Sequence, residues 1–245
     1  MLISERHKQI IESLQNNPNI SVRELAQMLH FSEPTIRRDF TELHKKGIIT
    51  KHYGGAILNK GAADREIPFV MRENEKSHNK TLIGQQAASL VRDGMVIMLD
   101  GSTSAYHLIP YLSKFKDIIV VTSGAKTAVA LAELQIPVFC TGGRMRTNSF
   151  SYIGKEAEDA VRKYNADICF FSCHGLSESG RMSDPSVNEC HLRQVMLQQS
   201  RETYLLCDSS KLNKTYFYDM GSVDQLDGVI SDQPLPPQIQ SLLQR

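Results

Sequence analysis

No stretch of the 245-residue sequence approaches the ~20 consecutive apolar residues that a membrane-spanning helix needs. The first residues, MLISERHKQIIESL, carry a charge every few positions and lack the apolar run of a secretory signal. The five cysteines (Cys140, Cys169, Cys173, Cys190 and Cys207) are odd in number and contain no C-x-x-C pair. That argues against a disulfide framework and for a reducing compartment, so a cytoplasmic protein without membrane association is expected. Net charge is nearly absent too: 28 Lys and Arg against 27 Asp and Glu. No global field draws the chain to nucleic acid, and any such binding has to come from a local cluster of cations. Internal repeats and low-complexity tracts are missing as well. What is present is globular composition, 41% hydrophobic and 22% charged. The length fits one large domain or a small one plus a medium one.

Residues 1–58 read as three short amphipathic helices followed by a hairpin. Ile3, His7, Ile10 and Leu14 recur at helical spacing, with Asn16-Asn17-Pro18-Asn19 as a stop. Ser21-Val22-Arg23-Glu24 has the form of a capping box, and Val22, Leu25, Ala26 and Leu29 give the second helix one apolar face. Ser32 is the expected N-cap of a third helix whose buried stripe is Ile36, Phe40 and Leu43 and whose stop is Gly47. IITKHYGGAIL reads as two strands about Gly54-Gly55. Helix, helix, tight turn, helix and hairpin is the order of a winged helix-turn-helix. With the apolar stripe facing in, Thr35, Arg37, Arg38 and Glu42 cannot all be buried. Arginine can bond guanine in bidentate fashion from the first half of a recognition helix, and a helix N-terminus offers free N–H groups to phosphate. Lys45, Lys46, Lys51 and His52 extend the basic rim toward the hairpin. Two adjacent arginines alone would favour a solvated helix; the tri-helical setting and the Gly-Gly hairpin reverse that preference. His7 and His44 read as surface or packing residues.

Residues 59–74 are polar and irregular, and read as a linker. From about residue 75 the pattern changes to short apolar runs: VIMLD (96–100), IIVVT (118–122), PVFC (137–140), DICFF (167–171) and TYLLCD (203–208). Helix-like stretches at 104–113, 125–134, 154–163 and 187–200 separate them. This alternation predicts an α/β domain over 75–245 with a mostly parallel sheet covered by helices. In such sheets ligands sit beyond the carboxyl ends of the strands. Those ends carry small and polar residues: Gly101-Ser102-Thr103-Ser104, Ser123-Gly124, Gly142-Gly143-Arg144, Ser172-Cys173-His174-Gly175 and Ser209-Ser210-Lys211. One shared anion-binding rim is the expectation, although a single Ser/Thr turn after a strand usually only caps the next helix. Lys211 is the natural counter-charge for a phosphate or carboxylate. Asp100, Asp184 and Glu189 are candidate acceptors for sugar hydroxyls. Glu189 and Arg193, four apart, have an intrahelical ion pair as the competing role.

Two other chemistries compete. An isomerase needs a positioned general base, for which Glu189, Asp184 and His174 are candidates. A zinc site could draw on Cys173-His174 and Cys190-His191. Adjacent helical residues point about 100° apart, however, and share one metal poorly. No catalytic residue, metal or cofactor is expected.

The run ISVRELAQMLHFSEPTIRRDFTELHKKGIITKHYGGA resembles the DNA-binding region of the DeoR family of bacterial transcription regulators, with its T-I-R-R-D core and a wing ending in G-G-A. The resemblance implies that Ser32, Thr35, Arg37 and Arg38 lie at DNA, with Lys51 on the wing. Lys51 stands where arginine is usual and Tyr53 where histidine is. It also implies a C-terminal fold of the ribose-5-phosphate isomerase and CoA-transferase type that senses a phosphorylated sugar. The ligand loop is then Asp100 to Ser104, with Ser102, Thr103 and Ser104 at its turn, and the D-S-S-K stretch is Asp208 to Lys211. Gly142, Gly143 and Glu189 match further family positions, and Ser123 and Asp184, read from the strand ends, complete the expected pocket. Ser102 replaces the usual loop glycine, and Ser123-Gly124 replaces Asn-Ser. The expectation is a repressor of a sugar-metabolism operon, a homodimer or homotetramer on double-stranded operator DNA.

Overall fold

The structure is a computed structural model that describes residues 3–17, 20–45, 48–58 and 68–243. The chain divides into two compact units, Met1–Glu75 and Lys76–Arg245.

In the first unit, α1 (Ile3–Asn16), α2 (Val22–Met28) and α3 (Glu33–Lys45) precede a hairpin of β1 (Ile49–His52) and β2 (Gly55–Leu58). The capping box forms: Ser21 Oγ accepts from Glu24 N at 3.2 Å and Glu24 Oε2 accepts from Ser21 N at 2.9 Å. Ser32 Oγ accepts from Thr35 N at 3.4 Å and so starts α3. Ile36, Phe40 and Leu43 are buried with Ile10, Leu14, Leu25 and Ile49, as the apolar spacing requires. One acid, Asp39, is buried in the same stripe. His7, read as a surface or packing residue, is buried against it. The expected stops at Pro18, Asn19 and Gly47, and Lys46 of the basic rim, lie outside the described residues. So do residues 59–67 of the stretch read as a linker. Its remainder holds α4 (Phe69–Asn74), whose Met71 packs into the core of the first unit.

In the second unit α5 (Ser77–Ala88) leads to β3 (Val96–Leu99), α6 (Thr103–Tyr106), β4 (Ile119–Thr122), α7 (Ala125–Glu133) and β5 (Val138–Cys140). A hairpin of β6 (Arg144–Arg146) and β7 (Ser151–Ile153) follows, then α8 (Lys155–Val161) and β8 (Ala166–Phe171). The chain continues through β9 (Gly175–Leu176), β10 (Arg181–Asp184), α9 (Val187–Gln198) and β11 (Ser200–Leu206). β12 (Tyr218–Ser222), β13 (Gly228–Ile230) and α10 (Pro237–Leu243) come last. The helix expected at 104–113 is divided: α6 is one turn, and Ile109–Lys114 is a 3₁₀ segment with Pro110 in its first turn.

Six strands form a parallel sheet in the order β13-β11-β8-β3-β4-β5. Alternate residues enter two cores. Met98, Val121, Cys169, Phe171 and Leu205 line one, and Ile97, Leu99, Val120, Phe170 and Leu206 line the other. Burial on both faces explains why these strands read as continuous apolar runs. The chain moves outward from β3 in one direction through β4 and β5, then returns to β8 and moves outward in the other. The reversal between β3 and β8 leaves a crevice at their carboxyl ends. β9, β10 and β12 make a separate three-stranded antiparallel sheet, and its central strand β10 ends in Asp184.

Candidate functional site

The β3/β8 switch point is stitched by one carboxylate. Asp100, just past β3, accepts from Ser102 N through Oδ1 and from Ser172 N, just past β8, through Oδ2, each at 3.1 Å. The two strand ends are thereby locked at fixed spacing. Gly101 is required there by close approach, because a Cβ on it would stand 2.7 Å from Ser151 Cβ.

Above this floor sits Lys211. Its Nζ donates to Ser172 Oγ at 2.6 Å and to Ser104 Oγ at 3.1 Å, and lies 3.4 Å from Asp208 Oδ2. Three strand ends, those of β3, β8 and β11, thus converge on one ammonium group. Burial pushes the Asp208 carboxyl up, but Lys211, the Ser210 hydroxyl and Lys80 outweigh it and hold the group below its ordinary value. Lys211 remains partly open, with 17% of its side chain exposed.

Beside it lies a second, buried charge cluster. The α9 guanidinium of Arg193 donates from Nε to Asp100 Oδ2 at 2.8 Å and from Nη1 to Asp184 Oδ2 at 2.7 Å. Its contact to Glu189 is longer, 3.7 Å, so the intrahelical pair expected from sequence is the weakest of its three. Asp184 also takes His174 Nδ1 at 2.7 Å and Ser186 N at 3.0 Å. Burial acts to raise the Asp184 carboxyl, yet His174, Arg193 and the Ser186 amide together hold it far below the usual carboxylate range. Glu189 accepts from Ser149 Oγ at 2.6 Å and from Ser151 Oγ, both on the β6–β7 hairpin, and faces Arg146 Nη1 at 3.5 Å. Both oxygens of each of these three acids are already engaged within the protein. They form one interlocked cluster rather than three idle acceptors.

The other residues singled out from sequence fall into two groups. Thr103 and Ser104 are buried in the first turn of α6, while the Ser102 hydroxyl caps that helix by accepting from Ala105 N at 3.1 Å. Ser102 therefore behaves as the cap that strand-end serines usually are. Ser123 is buried at the end of β4, and its carbonyl accepts from Tyr152 N. Gly142 and Gly143 (φ +65° and +99°) follow β5, two strands from β3 at the sheet edge. A Cβ on Gly143 would stand 3.2 Å from Ala157 N. The hairpin hydroxyls of Ser149 and Ser151 are the additions that the sequence did not single out; Ser172 and Arg193 were named there only as a strand-end residue and an intrahelical partner of Glu189. Among the described residues no group of three or more His, Cys, Asp or Glu is placed to hold a metal. His174 turns to Asp184, and His191 Nε2 meets Tyr218 OH at 2.9 Å.

In the first unit, Arg37 and Arg38 are exposed on α3, and Ser32 Oγ lies 2.9 Å from Thr35 Oγ1 at its start. Arg37 pairs with Glu33 at 3.2 Å on the helix surface. Lys51 is exposed on β1 and donates to Thr41 Oγ1 at 3.1 Å, which ties the wing to α3. Gly54 (φ +84°) and a fully exposed Tyr53 make the wing tip.

These two units match known domains. Residues 6–62 match the DeoR-like helix-turn-helix domain, and residues 75–233 match the DeoR C terminal sensor domain. The HTH-type transcriptional regulator GolR of Listeria innocua is 32% identical over 232 residues, 94% of this chain and 91% of that one. The glycerol-3-phosphate regulon repressor of Escherichia coli is 25% identical over 241 residues, 98% of this chain and 95% of that one. In fold the chain is similar to eIF2B delta from Chaetomium thermophilum (TM-score 0.50, 16% identity, 66% of this chain and 58% of that chain). A ribose 5-phosphate isomerase from Methanocaldococcus jannaschii gives TM-score 0.41 at 18% identity, over 54% of this chain and 53% of that chain. Among the described residues no helix is long and apolar enough to cross a membrane. The chain belongs to the DeoR family and is a DNA-binding transcriptional regulator, not an enzyme.

Proposed function

We propose that this regulator is a cytoplasmic repressor of a sugar-metabolism operon and that a phosphorylated sugar controls it. The winged helix-turn-helix (1–58) binds operator DNA through Ser32, Thr35, Arg37, Arg38 and Lys51. The α/β domain (75–245) binds the effector.

The observation that carries the effector reading is the Lys211 ammonium group held by Ser104 and Ser172 at the switch point. A phosphate there would meet one cation, the Ser104 hydroxyl as a donor, and the first-turn N–H groups around Thr103, while the Ser172 hydroxyl accepts from Lys211 and donates to the Leu206 carbonyl. Asp208 keeps Lys211 in place. The remaining carbon chain of the sugar extends toward Ser123 and the Gly142-Gly143 turn. Asp100, Asp184 and Glu189 act as the fixed floor through Arg193, and Glu189 reaches the ligand's side through the hairpin hydroxyls. One relative is named as the repressor of a glycerol-3-phosphate regulon, which is consistent with control of phosphorylated-carbohydrate metabolism. Operators with two-fold symmetry favour a homodimer or homotetramer.

A thermal-shift series against three- to six-carbon sugar phosphates tests this. At least one compound is expected to raise the melting temperature by several degrees near saturation, with its unphosphorylated parent giving none. Lys211→Met should weaken that ligand roughly 10- to 100-fold, the worth of about 1.5–3 kcal/mol for a charge-assisted hydrogen bond. An equal shift in the variant would place the phosphate elsewhere.

A further inference from the structure

Asp39 is a carboxylate where the spacing of α3 calls for an apolar residue. Positions 36, 39, 40 and 43 share one helix face, and Ile36, Phe40 and Leu43 are all buried there. Asp39 is 1% exposed. Its two oxygens are met by α1: Arg6 Nε donates to Oδ2, Nη2 donates to Oδ1 at 2.8 Å, and His7 Nε2 lies 3.2 Å from Oδ1. The Arg6 guanidinium also lies 5.0 Å from the centre of the Phe31 ring, in the turn that leads into α3. His7 approaches Glu42, one turn further along α3, at 3.8 Å. None of these residues is among the groups read as offered to DNA.

A buried ion pair contributes little net stability compared with a well-packed apolar pair of similar volume. What it adds is direction. An apolar stripe seats a helix over a range of rotations, whereas a planar fork meets a carboxylate in one pose. Arg37 and Arg38 immediately precede Asp39. A group about 6 Å from the axis moves about 3 Å when the helix turns by about 30°, which is the whole length of a hydrogen bond.

We infer that the Arg6–Asp39 pair is a positioning device that fixes the rotation of α3 and thereby the pose of Arg37 and Arg38 against base edges. It governs discrimination between DNA sequences rather than the stability of the fold or the general attraction to phosphate. The inference rests on α3 being the helix that reads DNA.

The test uses the full chain at fixed salt. The specific probe is a duplex that the wild-type protein selects from a random-sequence pool, and the non-specific probe is sonicated genomic DNA. The double variant Arg6→Met/Asp39→Leu is expected to fold and to melt within a few degrees of the wild type, with the lost His7 contact to Asp39 offset by the apolar packing. Its affinity for non-specific DNA should stay within about threefold, while its preference for the selected duplex falls at least about tenfold. Arg6→Lys, which keeps the charge and loses the fork, should lose part of that preference. A folded double variant with wild-type preference overturns the inference. Unfolding of both variants also overturns it, because the pair would then hold the fold rather than the pose. Arg38→Ala separates the two levels: if it keeps the preference, α3 is not the reading helix and the inference falls with that reading. If Arg38→Ala loses the preference and the double variant keeps it, only the positioning role is wrong.

Discussion

Arg193→Met is expected to destabilise the second unit by about 3–5 kcal/mol at neutral pH, on the order of 10 °C in melting temperature. The substitution matches the volume of the side chain and its burial, but it leaves Asp100, Asp184 and Glu189 facing one another without their shared cation. Desolvated carboxylates that lose a partner incur the full cost of burial, which the apolar replacement does nothing to offset. The sign of the pH dependence follows from Asp184. Its carboxyl is held below the ordinary value in the folded protein, against the pull of burial, by His174, Arg193 and the Ser186 amide. Its contribution is therefore present above the unfolded value of about 3.9 and lost as pH falls toward the folded one. Without Arg193 burial has less opposition at Asp184, so its protonation comes at higher pH and relieves the repulsion. The gap between variant and wild type should narrow as pH drops from 7 toward 4. Chemical denaturation at pH 7, 5.5 and 4 measures it. A constant gap would mean that lost packing, not unpaired charge, dominates.

Arg38→Ala should reduce affinity for the selected duplex by at least two orders of magnitude while leaving the melting temperature within about 2 °C. The side chain is exposed on α3, so its removal opens no cavity. The loss combines a base-edge contact, worth about 1–3 kcal/mol, with a phosphate-facing charge whose effect grows at low salt. Arg37→Ala should be milder, because Arg37 already shares its charge with Glu33. Gel-shift titrations at two salt concentrations separate the terms. A uniform loss on all sequences marks a phosphate contact, and a loss confined to the selected duplex marks base reading.

The parallel sheet was legible because burial on both faces writes each central strand as an unbroken apolar run, as in VIMLD and DICFF. The antiparallel pieces were not. β6 is Arg144–Arg146, β10 is Arg181–Asp184, and β12 contains Gly221 beside a register shift; none has an apolar face long enough to stand out. α4 hides in a polar stretch because only Phe69 and Met71 of its six residues are buried. At the candidate site, Asp100, Ser104 and Lys211 could be named because each follows a recognisable strand. Arg193 could not be assigned its partners: spacing offers Glu189, four residues away, while Asp100 is 93 residues distant and reaches it only through the fold. The same limit hid Asp39. Nothing in T-I-R-R-D marks it as buried, and only the approach of Arg6, 33 residues earlier, makes it a core residue.

In the proposed function, a phosphate group held at Lys211 changes the grip of the helix-turn-helix on DNA. Fluorescence anisotropy of the selected duplex, titrated with protein in the presence of the sugar phosphate found by thermal shift, measures this directly. The expected result is a change in operator affinity of about 5- to 150-fold, the span of an ordinary coupling free energy. The unphosphorylated sugar should leave operator affinity unchanged, and Lys211→Met should remove the response while binding the duplex as the wild type does. An operator affinity indifferent to every sugar phosphate, or a response that survives Lys211→Met intact, would contradict the account.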